Sequence, residues 1–336
     1  MLTIIVTTSA VSANPHTIFI EDTIKSYLIN EPSLRNCRRI IVCDKEVIAP
    51  EYEKLRPKYG KVNQSISDRY NEFKLKLKTH IDDARDNFHD TFFNTELLVL
   101  ERKHGFALAV RRALELVTTP YVLVVQHDRV CCRPFGLEKI LASMKTFSFR
   151  KVNYICLGVT ATSKYGRTGM HFKMDVRDAT ITIPNSNMFA VPLFFWFDTS
   201  HICRTNFYLN FALQRPRLCN NLENKQWGWR SGDFIEDKLG HLVRESAKSN
   251  GYLGLSKYGT YFLASFNDGS LAYAVDKNVS KRTLDEYHTI YGDGEKGPGH
   301  VNHSVVAHVN QRKHVNLARR YDLQITEDGT LETIDY

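Results

Sequence analysis

The first 130 residues predict an α/β fold with a mostly parallel central sheet, and three observations carry that prediction. Four short, mainly apolar runs (Thr3 to Thr7, Arg39 to Cys43, Glu96 to Leu100 and Tyr121 to Val125) lack the alternation of a half-exposed strand. They read instead as strands buried on both faces. Helical-period segments separate them, the order from which parallel sheets are built. Two of the runs deliver an aspartate at their carboxyl end, Asp44 and Asp128, the edge at which open α/β sheets bind ligands.

Thr3 to Thr7 is β-branched and apolar apart from its threonines, and a polar turn with Asn14-Pro15 follows. Thr17 to Leu28 fits a helix, and Arg39 to Cys43 a second buried strand. Between Ser65 and Phe88 the apolar positions Ile66, Tyr70, Phe73, Leu77, Ile81, Ala84 and Phe88 recur every three or four residues, which suits one helix face and no strand. Gly105 opens an Ala- and Leu-rich helix that stops before Pro120. Beyond residue 150, Tyr154 to Val159 and Met188 to Phe197 read as strands, and Phe211 to Leu242 as mixed helix and loop. From Gly251 onward Gly, Asn, His and charge dominate. No internal repeat or low-complexity linker occurs.

Composition narrows the class. Of 336 residues, 43% are hydrophobic and 24% charged, which excludes a disordered or collagenous chain. The net charge of +8 favours anionic partners, among them phosphorylated small molecules, nucleic acid and acidic membrane faces. Seven cysteines, two of them adjacent (Cys131 and Cys132), form no CxxC pair and suit a reducing compartment. The longest apolar run, Met188 to Phe197, contains Pro192 and falls short of the ~20 residues of a membrane span. The N-terminus lacks a basic leader region. A cytoplasmic protein with no transmembrane segment is expected.

Several clusters carry chemistry. Asp128, just past a buried strand, is placed to ligate a hard divalent cation that also holds substrate phosphates; an aspartate there also serves simply to cap a turn. Ser231 to Gly240 holds Asp233, Glu236 and Asp237. With a helix from Phe234, Asp233 and Asp237 would share a face, one able to act as general base. The same residues also suit a helix N-terminus on dipole grounds alone. Arg102 and Lys103 follow the third strand and could meet phosphates, or be solvated surface charge. Trp227 and Trp229 could stack on a ligand ring, or be ordinary half-buried aromatics. The tail histidines His300, His303, His308 and His314 lack the spacing of a zinc module, and a single ligand from one of them, His308, is the expectation. Gly292-x-Gly294-x-x-Gly297 matches a dinucleotide fingerprint only as a string, because no clear strand precedes it.

In this order the motifs resemble the GT-A-fold glycosyltransferases, close to the family-2 type, over roughly 240 residues. The features that carry the likeness are the Thr7-Thr8-Ser9 turn, Asp44, Arg102 with His104-Gly105, the strand ending Gln126-His127-Asp128, and Glu236-Asp237. The resemblance implies a nucleoside-diphosphate sugar as donor, UDP-linked by family frequency. Thr7, Thr8, Ser9, Asp44, Arg102, Lys103, Gln126 and His127 would line its site. It implies Mn²⁺ or Mg²⁺ at Asp128 with His308, Asp237 as base and Glu236 as its helper. Asp233, Trp227 and Trp229 would lie on the side of a glycan, protein or lipid-linked acceptor. The implied division is a nucleotide-sugar half (1–130), an acceptor-binding and catalytic half (131–250) and a C-terminal extension (251–336) closing over the donor. Gln126 departs from the family's Asp-x-Asp. That keeps open a degenerate, non-catalytic basic binding protein, for which nucleic acid is the less expected partner because no run of five basic residues occurs. A sugar-phosphate nucleotidyltransferase is less favoured, because Thr7 to Asn14 holds neither glycine nor a basic residue.

Overall fold

The computed structural model describes residues 2–11, 13–50, 60–131, 134–146, 151–157, 179–186, 188–213 and 229–265, and the backbone of three short strands at 306–308, 323–325 and 331–333. In chain order the main elements are β1 (Leu2–Thr8), α1 (Ile18–Asn30), β2 (Arg39–Cys43), β3 (Val47–Ile48), β4 (Lys61–Val62), α2 (Gln64–Asp83), β5 (Thr95–Val99), α3 (Phe106–Leu114), β6 (Tyr121–Gln126) and β7 (Arg129–Cys131). There follow α4 (Leu137–Thr146), β8 (Tyr154–Cys156), β9 (Ile181–Thr182), β10 (Met188–Pro192), β11 (His201–Arg204), α5 (His241–Ser256) and β12 (Thr260–Ser265). The expected α/β class is what the structure has. No helix among the described residues is long and apolar enough to cross a membrane.

The chain divides into two units, one comprising Met1–Val130, Cys203–Lys238 and His308–Tyr336, the other Cys131–Ile202 and Leu239–Ala307. In the first, β5, β2, β1 and β6 lie side by side in that order, all parallel. Every residue of β1 and β2 is buried, as unalternating apolar strands require, and α3 packs on β1 and β2. The end of β11, Cys203 and Arg204, belongs to this unit too, and the Thr205 N–H that follows donates to Pro120 O at 3.0 Å.

Helix α2 begins where the Asn63 side chain accepts the Ile66 N–H at 2.9 Å, and it buries Tyr70, Phe73, Leu77 and Ile81. It ends at Asp83, short of the Phe88 that the spacing includes. Asn87 and Asp90 side chains accept the His89 and Phe92 N–H groups at 3.1 and 2.7 Å, local turns that compete with helix. Phe88 meets Phe93 edge-on instead, 5.3 Å between ring centres.

In the second unit the order is β8, β12, β10, β9. β12 runs parallel to β8 and antiparallel to β10. The strand expected over Met188 to Phe197 stops at Pro192, which has no N–H to extend a ladder. Trp196 is fully buried against Tyr154, 4.1 Å between rings, and donates to Asp198 at 3.1 Å. The described part of the run Tyr154 to Val159 is a strand only to Cys156, and 158–159 lie outside the described residues. So do the Gly292 to Gly299 loop and His300, His303 and His314.

Candidate active site

The carboxyl edge of the parallel sheet in the first unit gathers most of the residues singled out from the sequence. The register sets Thr7 opposite both Val42 and Gln126, and Thr8 opposite Cys43, so three strand ends finish level. Both threonines are buried. Thr7 Oγ1 donates to Val125 O at 3.4 Å, and Thr8 Oγ1 lies 3.0 Å from Tyr70 Oη and donates to Cys43 Sγ at 3.3 Å. Ser9, half-buried, is the most exposed of the three. The backbone N–H of buried His127 donates to Thr7 O at 3.0 Å, and Thr23 Oγ1 donates to His127 O at 2.8 Å. These bonds pin the β6–β7 turn, on which Gln126 and Asp128 remain half-buried.

Asp44 is buried and holds the start of α3. Its Oδ1 accepts the His104 N–H at 2.8 Å, its Oδ2 accepts the Gly105 N–H at 2.9 Å, and Lys103 Nζ donates to Oδ2. An anion here is favoured twice, by charge-assisted bonds and by the helix dipole. Lys103 is thereby paired within the protein, whereas the Arg102 side chain is exposed. The Arg102 carbonyl accepts His104 Nδ1–H at 2.6 Å, which fixes that tautomer.

One residue near this carboxylate was not singled out from the sequence. Buried Glu46 accepts Ser67 Oγ–H at 2.6 Å and pairs with Lys74 at 3.7 Å and Lys45 at 3.5 Å. Burial pushes its carboxyl up, but Ser67, its backbone bond and the two lysines outweigh that and hold it below the usual value.

The segment 229–238 folds onto the same loop. The Ser231 hydroxyl donates to Lys103 O at 2.9 Å, the Gly232 N–H to His104 O at 3.0 Å, and the Ala107 N–H to Asp233 O at 3.2 Å. Phe234 stacks on Phe106, 6.2 Å between centres. The expected helix face shared by Asp233 and Asp237 is not formed. Asp233 precedes the helical stretch, where its carboxylate accepts the Arg230 N–H at 2.5 Å and pairs with Lys238. Glu236–Gly240 is a π-helical turn, whose wider spacing breaks the i, i+4 alignment. Glu236 is half-buried and Asp237 exposed. Lys238 Nζ lies 5.3 Å from the centre of the half-buried Trp229 ring. Trp227 lies outside the described residues.

Among the described residues no three His, Cys, Asp or Glu side chains gather to hold a cation. Asp128 offers one carboxylate, and His308 is described only as backbone in a strand that pairs with β7. One carboxylate suits a cation carried mainly by the phosphates of a bound molecule.

No family model matches the chain, and no curated protein matches it. Solved structures to which it is similar include Staphylococcus aureus TarS 1–349 in complex with UDP-GlcNAc, at 14% identity over 61% of this chain and 46% of that one, TM-score 0.34. Another is the mannosyltransferase PcManGT of Pyrobaculum calidifontis with GDP-Man and Mn²⁺, at 13% identity over 47% and 35%, TM-score 0.28. A third is glucosyl-3-phosphoglycerate synthase of Mycobacterium tuberculosis with Mn²⁺, UDP and phosphoglyceric acid, at 7% identity over 62% and 56%, TM-score 0.31. The chain spans less than half the length of the first two. At these TM-scores the likenesses do not by themselves place the chain in a family.

Proposed function

We propose that the protein is an inverting glycosyltransferase that moves a sugar from a nucleoside-diphosphate sugar, UDP-linked in the first instance, to an acceptor hydroxyl. One observation supports it above the rest: a single sheet edge collects Asp44, Lys103, Gln126 to Asp128 and the docked segment bearing Glu236 and Asp237. In this reading Asp44 and Ser9 would meet the base and ribose, and Arg102 the diphosphate. Mn²⁺ or Mg²⁺ arriving with the donor at Asp128 would offset the charge of the leaving diphosphate.

Asp237 accepts the proton of the acceptor hydroxyl, and the acceptor oxygen bonds to the anomeric carbon as the bond from that carbon to the diphosphate breaks. The nucleoside diphosphate leaves from the opposite face, so the configuration inverts. Glu236, half-buried beside it, orients the base or the acceptor, and Trp229 offers a ring face to the sugar. The acceptor is a glycan, a protein or a lipid-linked molecule.

The test is a thermal-shift screen of UDP, GDP and CMP and their sugars, with and without Mn²⁺. A ligand at 100 times its Kd adds ~2.7 kcal/mol to stability. A shift that needs Mn²⁺ and one nucleotide is expected, and Asp237→Asn should keep that shift while slowing transfer by about 100-fold or more. No shift with any of them defeats the proposal and leaves a binding protein in which Gln126 has replaced a metal-binding carboxylate.

A further inference from the structure

We infer that Gly105 is a positioning residue: its contact with Gly232 sets the depth at which the segment carrying Glu236 and Asp237 sits against the loop gripped by Asp44. The inference rests on the proposed function for its catalytic meaning, but the contact itself does not.

Gly105 has φ 78° and ψ 171°, a conformation that L side chains rarely adopt. A Cβ built on it would lie 2.4 Å from both Gly232 Cα and Gly232 N, and 2.9 Å from Gly232 C. The obstacle is backbone, so no side-chain rotation relieves it. Gly232, with φ 92°, presents its own bare Cα there. Around this contact lie the three bonds from the 231–233 segment to Lys103 O, to His104 O and from Ala107 N. Gly105 N–H meanwhile donates to Asp44. One residue thus touches the nucleotide-side carboxylate through its N–H and the acid-bearing segment through its Cα.

A methyl group at 105 must drive the two backbones apart by about 1 Å to reach ordinary contact distance. A displacement of that size at a reacting group costs about 100-fold in rate. Asp44 is also held by the His104 N–H and by Lys103, neither of which the methyl group touches, so donor affinity should change far less.

The experiment compares wild type, Gly105→Ala and Ser231→Ala by hydrogen–deuterium exchange. It also measures the affinity for UDP with Mn²⁺ and the turnover of UDP-N-acetylglucosamine and GDP-mannose. For Gly105→Ala the expected result is faster exchange confined to 103–107 and 229–238, a UDP Kd within about threefold of wild type, and kcat lowered about 100-fold. Unchanged exchange over 229–238, or unchanged kcat, overturns the inference. Should Gly105→Ala lose protection along its whole length, Ser231→Ala decides. Faster exchange over 229–238 supports the inference there, and wild-type exchange overturns it. If wild type neither binds UDP nor turns over either sugar nucleotide, the proposed function fails, and the exchange results alone settle the contact.

Discussion

Asp44 accepts two backbone N–H groups and a lysine, so an asparagine there would turn one acceptor oxygen into a donor that faces a donor. Leaving a buried N–H unsatisfied costs about 1–3 kcal/mol. Asp44→Asn should lose about that much in urea unfolding, before any ligand is added, and a variant as stable as wild type would show that the grip on α3 contributes nothing. The sequence made the aspartate visible because it follows a buried strand. Its partners were less legible, since Lys103, His104 and Gly105 lie some sixty residues on and meet it only through the parallel pairing of β2 with β5. Thr8 shows the converse. As a residue type it suits a ligand contact, yet its hydroxyl is engaged with Tyr70 and Cys43, a partnership that no local pattern announces.

At the scale of elements, α2 is held by one stripe, and Leu77 at its centre is fully buried whereas Leu75 is 68% exposed. Leu77→Ala should cost about 2–5 kcal/mol, while Leu75→Ala should change stability by less than about 0.5 kcal/mol. Equal effects from the two in chemical denaturation would mean that the stripe is not the core face. Local pattern located this helix and the buried strands β1, β2 and β6. β5, read as buried on both faces, is a strand with Glu96 and Val99 exposed, because among the described residues nothing pairs beyond it in the sheet order. The pattern overran where polar side chains bond their neighbours' backbone, as at Asn87 and Asp90, and where proline ends a ladder, as at Pro192. The π-helical turn at Glu236–Gly240 had no signature, since its register follows from Asp233 being drawn to Lys238 and Arg230.

For the molecule as a whole, two buried groups make the fold sensitive to acid. Burial pushes the pKa of His201 down from 6.5 to about 4, and a bond to Thr199 O only partly opposes this. The carboxyl of Glu46 is also held below its ordinary value. In both cases the unfolded chain binds protons more readily than the folded one, so stability falls as pH falls. The His201 contribution is complete above about pH 6.5 and is lost between there and about pH 4, a change of about 3 kcal/mol. That of Glu46 is present above its unfolded value and goes at still lower pH. Urea midpoints should therefore drop between pH 7 and pH 5, and His201→Asn, which keeps a donor for Thr199 O, should flatten the decline. An equal slope in the variant would remove His201 as the cause. The α/β class was legible because buried strands and helices alternate locally. The return of 203–238 to the first unit was not, because a contact between residues a hundred positions apart leaves no periodicity.

That return has a bearing on inheritance. Residues 1–130 look like a portable module, yet α3 begins against Gly232 and Asp233, and Thr205 bonds Pro120 O. A recombination event joining two homologous genes at codon 130 would pair one parent's Asp44 sheet edge with the other parent's acidic pair, across a contact with no room for a methyl group. Productive exchanges would have to carry both stretches together, so the two should drift as one unit of selection although they are separated along the gene.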